Sequence, residues 1–361
     1  MASPTLQKIE KQSLEQSDYS EIPPTDIIAF NELRSCADLY RMHTQSQINI
    51  HPDFQRDFVW KDTDQTRFID SLIKSLPIPS MCFALDYKEQ KWIVIDGLQR
   101  ISTIIRFLEG GHWKLSKLRD VMPDIAGKSI AEIKLNQNPL HKYYTRVENL
   151  SIPITVLRCN FNKREHMEYL FMIFNRLNTG GMKLNNQEIR NCIYSGDFNG
   201  LLRDLDKNQT WRKLNKMQKS TNYRYTKQEL ILRLFAFHDR ISKYEGSLVK
   251  FLNDYMFDNR NPAQTFLSEK KSLFQDTINV ALKCFPNGQI PKLSVTFTEA
   301  LLIGIAKNLP TLNNKNEAAI QRNFKTLSDS QEFQEQSLSE GLSKKSRVNS
   351  RLRAAIEIFS H

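Results

Sequence analysis

The chain lacks most of the features that assign a chemistry at sight. Its five cysteines, Cys36, Cys82, Cys159, Cys192 and Cys284, are scattered, with no C-x-x-C pair and no histidine at ligand spacing. That pattern argues against a metal ribbon or a disulfide framework and reads as reduced, buried thiols of a cytoplasmic protein. No stretch approaches the roughly 20 apolar residues of a membrane span, and the first residues lack the hydrophobic core of a signal peptide, so no membrane partner is expected. A Gly-Lys-Thr/Ser loop of the Walker type is missing, which excludes a P-loop NTPase. No repeat of fixed period is visible.

What is present is a core-forming chain with a basic surplus. The 361 residues are 40% hydrophobic, enough for one large domain or two of ordinary size, and carry a formal charge of +11. Such a surplus fits a polyanionic partner, DNA among them, and equally a solvated basic surface. Lys344, Lys345, Arg347, Arg351 and Arg353 form a basic run near the C-terminus that reads either as a solvated helix face or as a contact to a phosphate backbone.

Residues 1–26 are rich in Ser, Gln, Glu and Lys and read as a loose arm, with order beginning near Ile27. The spacing predicts a short helix around Asn31–Arg41, an extended segment at Gln47–Ile50, and a helix started by Asp62-Thr63-Asp64-Gln65 and stopped by Pro77 and Pro79. Strands are expected at Ser80–Leu85, Lys91–Ile95 and Ile152–Arg158, with residues 110–150 a partly helical insertion. Helices are expected over 163–174, 186–194, 198–206, 226–240, 245–257, 264–284, 296–308, 315–335 and 348–360. The fold class is therefore α+β, with an α+β domain over 27–182 and a mainly helical domain over 183–361. The aromatic-rich helix Tyr225–His238 reads as core.

Three segments carry the chemistry. In residues 92–108 the apolar run Trp92–Ile95 meets Asp96-Gly97, after which Ile101, Ile104, Ile105 and Leu108 recur at helical spacing. A strand that turns straight into a helix aims unpaired N–H groups and the positive end of the helix dipole at one small volume, with Gln99 and Arg100 in the first turn. A structural turn and an anion site both fit this spacing. Gly97 permits the turn and a close backbone approach, while Asp96 is available to cap the helix, bind a metal or hold Arg100. A second segment, Phe174 to Glu188, holds Leu177-Asn178-Thr179-Gly180-Gly181 before a helix with Asn185 as N-cap and Glu188 at N3, so it serves as a connector or as a ligand loop. A third, His51 to Trp60, sets Gln55-Arg56 among aromatic residues, where the guanidinium would face an anion or base or pair with Asp53 or Asp57.

In this order, Pro52-Asp53-Phe54-Gln55-Arg56 through Trp60, then Asp96-Gly97-Leu98-Gln99-Arg100, then Leu177-Asn178-Thr179-Gly180-Gly181 with Gln187-Glu188-Ile189-Arg190, the chain resembles the N-terminal domain family of GmrSD-type restriction endonucleases over about residues 27–240. The resemblance implies a ParB/sulfiredoxin-like α+β core and a nucleotide-binding, NTP-hydrolysing activity in the regulatory half of modification-dependent restriction, that is, phage defence. It implies that Asp96, Gly97, Leu98, Gln99 and Arg100 surround the phosphates of a nucleoside triphosphate. Gln55 and Arg56 would reach in, and Asn178, Thr179, Gly180 and Gly181 would close the pocket. Asp96, Gln99 and Arg100 would then be catalytic, with Asp96 placing Mg2+ or a water. Leu98 departs from the family pattern, which often has Gln there. Relatives often carry a His-Asn-His nuclease domain; the seven histidines here are isolated, so a partner nuclease is expected. The rival reading is a non-enzymatic DNA-binding or nuclease-recruiting module of the same fold.

Overall fold

The computed structural model describes residues 23–50, 60–177, 184–217, 225–286, 289–334, 337 and 341–361. The described residues divide into one unit within residues 20–184 and another within residues 185–361.

In the first unit the elements run β1 (Ile28–Ser35), α1 (Cys36–Thr44), β2 (Ile48–Asn49), α2 (Asp62–Ile73), β3 (Met81–Asp86), β4 (Lys91–Asp96), α3 (Leu98–Glu109), α4 (Ile130–Lys134), α5 (His141–Asn149), β5 (Ser151–Cys159) and α6 (Arg164–Leu177). The strands form one mixed sheet in the order β1-β5-β3-β4-β2. β1 is antiparallel to β5, β3 is parallel to β5 and antiparallel to β4, and β2 is parallel to β4. The helix expected at Asn31–Arg41 starts only at Cys36. Residues 31–35 are strand, because β1 pairs with β5 along its whole length, and Ser35 then caps α1 by accepting the Asp38 N–H at 3.1 Å. Ladder bonds to a distant strand outweigh the local helical spacing.

β4 is covered on both faces, which is why it reads as an unbroken apolar run. Phe83, Trp92, Val94, Ile152, Ile154 and Val156 face one core together with buried residues of α1, α2, α3 and α5, while α6 packs against β4. On α3, Ile101, Ile104, Ile105 and Leu108 are buried as their spacing requires, each contributing about 1.5–3 kcal/mol. The β3–β4 turn is held by Asp86, whose carboxylate accepts the N–H groups of Lys88 at 2.8 Å and Glu89 at 3.2 Å, and that of Phe161 at 3.1 Å. Buried His166 accepts the Asn160 N–H on Nδ1 at 3.0 Å and meets Asp26 through Nε2 at 2.8 Å, fastening the segment before β1.

The second unit is helical: α7 (Asn186–Ile193), α8 (Asp197–Asp206), α9 (Gln209–Leu214), α10 (Thr226–Arg240), α11 (Leu248–Asp258), α12 (Gln264–Lys283), α13 (Val295–Lys307), α14 (Leu309–Leu312), α15 (Glu317–Asp329) and α16 (Lys345–Ser360). The single helix expected over 315–335 stops at Asp329, where extended Ser330 leads into a 3-10 turn at Gln331–Phe333. A charged chain crosses the interior: Arg190 to Glu229 at 2.9 Å, Glu229 to Arg233 at 2.6 Å, and Arg233 to Glu299 at 2.9 Å. Burial pushes the Glu229 carboxyl up, but Arg233 and Arg190 outweigh it and hold the group ionised below its ordinary range. The C-terminal basic run is divided in its use. Arg351 is buried and donates to the Leu342 carbonyl at 2.7 Å, and Lys345 pairs with Glu245 at 2.8 Å. No helix among the described residues is long and apolar enough to cross a membrane.

Candidate functional site

β4 ends at Asp96, and Gly97 turns the chain at φ +97° and ψ 13° into α3. Only glycine fits there without strain: a Cβ would lie 2.5 Å from Met81 Cγ and 2.9 Å from its Sδ. No side chain caps the helix. The first-turn N–H groups of Leu98, Gln99 and Arg100 have no hydrogen-bond partner among the described residues, and the Ile101 N–H is the first to close a helical bond, to the Gly97 carbonyl at 2.9 Å. Three open donors and the dipole end therefore point out of the sheet at the carboxyl end of β4.

Asp96 grips Arg100. Its Oδ2 accepts from Arg100 Nη2 at 2.7 Å, while Arg100 Nη1 donates to the Pro79 carbonyl and, at 3.4 Å, to that of Ser80. Arg100 thus braces the end of β4 against the chain entering β3. The Arg100 side chain is 14% exposed and that of Asp96 45%, so the carboxylate is the accessible member of the pair. Beside it, burial and then the Asp96 charge push the Cys82 thiol up to about 11; it stays protonated near neutral pH and is no nucleophile.

Gln99 reaches sideways rather than into open space. Its Oε1 accepts the Trp60 N–H at 2.9 Å, Gln65 Nε2 donates to the Trp60 carbonyl at 2.7 Å, and the Trp60 ring meets Phe68 edge-on at 5.3 Å. The exit of the upstream motif is thereby pinned to the first turn of α3. Upstream of the motif, β2 runs parallel to β4. Gln55 and Arg56 themselves lie outside the described residues.

The downstream motif divides. Asn178, Thr179, Gly180 and Gly181 lie outside the described residues, beyond the end of α6 at Leu177. Asn185 and Glu188 form the expected capping box, with Asn185 Oδ1 accepting the Glu188 N–H at 3.0 Å and Glu188 accepting the Asn185 N–H at 2.6 Å. Gln187 and Arg190 are buried: Arg190 donates to Gln187 at 3.2 Å and to Asn253 at 2.8 Å. In this part of the motif the polar residues build the helical unit.

The Pro79 and Ser80 carbonyls, the anchored Trp60 and the Met81 side chain beneath Gly97 escape sequence reasoning as parts of the site. Only Trp60 carried a signal, as the end of the upstream motif. Among the described residues, no three His, Cys, Asp or Glu side chains gather as a metal cluster. The arrangement offers an anion a row of amides, and sets beside them an open carboxylate braced by an arginine.

Searches of curated proteins and of solved structures each give no match. Residues 36–195 match the family described as GmrSD restriction endonuclease, N-terminal domain. That span runs from the first residue of α1 to just past α7 and contains the β4–α3 turn, the pinned Trp60 and the capping box. Residues 36–195 of this chain are therefore similar to the GmrSD N-terminal domain family.

Proposed function

We propose that the unit within residues 20–184 binds a nucleoside triphosphate at the start of α3 and hydrolyses it, as the regulatory part of a restriction system that defends against foreign DNA. One observation carries the reading: the N–H groups of Leu98, Gln99 and Arg100 have no partner among the described residues and lie beside the half-exposed Asp96 carboxylate, on a helix that follows directly from a sheet strand. The match of residues 36–195 to the GmrSD N-terminal domain family supports the defence setting, and the mixed sheet is compatible with a ParB/sulfiredoxin-like core.

In this reading the amides bind phosphate oxygens and Arg100 is a positioning residue, holding Asp96 and the Pro79–Ser80 chain in a fixed relation. Gln99 anchors Trp60, the end of the upstream motif; on the family resemblance, Gln55, Arg56, Asn178, Thr179, Gly180 and Gly181 would complete the pocket. A single open carboxylate suits Mg2+, which takes one or two carboxylates and completes its shell with water and phosphate oxygens. Asp96 would hold it, and the ion would neutralise charge on the transferring phosphoryl group. In the alternative to holding the ion, the free oxygen of Asp96 accepts a hydrogen bond from the attacking water and orients it. A partner nuclease would cut DNA in response.

The test is a thermal-shift panel of ATP, GTP, CTP and UTP with Mg2+, followed by phosphate release from the wild type, Asp96→Ala and Arg100→Lys. At a ligand concentration of about 100 times Kd, binding adds about 2.7 kcal/mol to the stability of the unit. Absence of a shift with all four nucleotides refutes binding. Equal turnover in the three proteins refutes hydrolysis at Asp96 and leaves binding standing.

A further inference from the structure

The basic surplus is concentrated in the helical unit. From residue 207 to residue 228 there is no Asp or Glu, yet Lys207, Arg212, Lys213, Lys216, Lys219, Arg224 and Lys227 supply seven positive charges. A second stretch, 277–298, also has no Asp or Glu and adds Lys283 and Lys292. The fold brings these stretches together: Lys213 and Lys216, at the end of α9, face Gln289, Ile290 and Pro291 across an open cleft. An ordered backbone presents the lysines, since the Lys216 N–H donates to the Lys213 carbonyl at 3.0 Å and the Met217 N–H to that of Arg212 at 2.8 Å. Lys213, Lys216 and Lys292 are exposed and form no ion pair with a described carboxylate. The nearest acid along the chain, Asp206, is itself shielded: burial raises its pKa, and it accepts from the Trp211 indole N–H at 3.3 Å.

We infer that this cleft is where the helical unit takes the sugar–phosphate backbone of DNA. Charge complementarity selects the occupant. The exposed Lys213 and Lys216, with Lys292 next to the cleft residue Pro291, concentrate positive potential at an open groove, and a strand of regularly spaced phosphates is the polyanion that such a groove holds without reading sequence. The C-terminal run is the weaker competitor, because Arg351 is turned inward and Lys345 is neutralised by Glu245. The inference rests on the charge of the helical unit and does not depend on the nucleotide site.

The experiment measures binding of a short mixed-sequence DNA duplex to the full chain, without nucleotide, by fluorescence anisotropy across a salt series. Lys213→Gln/Lys216→Gln is compared with Arg347→Gln/Arg353→Gln, which removes the same charge from exposed positions of α16. The first pair is expected to lower the slope of log affinity against log salt by about 1.8, the value for two lost phosphate contacts, and to weaken low-salt binding roughly tenfold, with the second pair close to wild type. Melting curves matching the wild type exclude misfolding as the cause. Equal losses in the two pairs would mean that net charge alone acts, and would overturn the inference. No loss in the first pair overturns it too, as does binding to anionic phosphatidylserine vesicles when the wild type ignores the duplex. A lost thermal shift with nucleotides, by contrast, leaves it untouched.

Discussion

Gly97→Ala probes the joint on which the candidate site depends. Gly97 sits at φ +97°, where an L-residue pays a left-handed penalty of about 1–2 kcal/mol. The new methyl would also lie 2.5 Å from the Cγ of Met81, a fully buried side chain with no room to retreat, and overpacking of this kind costs about 1–3 kcal/mol. Together the terms predict a loss of about 2–5 kcal/mol from the unit within residues 20–184. Trp60, Trp92 and Trp113 lie in that unit and Trp211 in the other, so tryptophan fluorescence during urea unfolding reports mainly the affected part. With a urea dependence of about 1–3 kcal/mol/M, a loss in the middle of that range moves the midpoint down by more than about 1 M. Adding Met81→Ala separates the causes. It removes the atoms that clash, so the double variant is less destabilised than the sum of the singles, and what remains of the Gly97 effect is the backbone strain. A Gly97→Ala protein within about 0.5 kcal/mol of the wild type would refute the argument, since that is the range of an ordinary surface change.

Two further perturbations test the supports around this joint. Lys163 first, and His166 second, hold the Asp26 carboxyl at about 2, below its ordinary 3.8. A lowered folded value means the stabilisation is complete above the unfolded value and vanishes as pH falls through the folded one. The stability gap between wild type and Asp26→Asn is therefore expected to be constant from neutral pH down to about 5 and to close between about 4 and 2; a gap that widens with acid in urea titrations would contradict it. In the helical unit, Arg233→Met leaves Glu229 short of one partner and Glu299 without its 2.9 Å partner. A loss of about 3–5 kcal/mol is expected, read by Trp211 fluorescence, and one below about 1 kcal/mol would show that the ionic chain is not holding the helices.

The sequence by itself determined the α+β class, most of the helices and the position of the β4–α3 turn. It could do so because those features are local. An unbroken apolar run gives way to a period of 3.6 at Asp96-Gly97, and Asn185 with Glu188 spells a capping box whatever surrounds it. It also marked Gln99 and Arg100 as important, but their tasks were legible only in three dimensions. Gln99 accepts from Trp60, 39 residues away, and Arg100 donates to carbonyls 20 and 21 residues away. Residues 31–35 show the same limit, for their helical spacing yields to a ladder with β5. Charge behaves likewise. Composition gave the surplus of +11, but only the packed helices decide which cations are spent inside, as Arg190, Arg233 and Arg351 are, and which stay at the surface, as Lys213 and Lys216 do. Burial depends on contacts between residues far apart along the chain, and no local pattern encodes it.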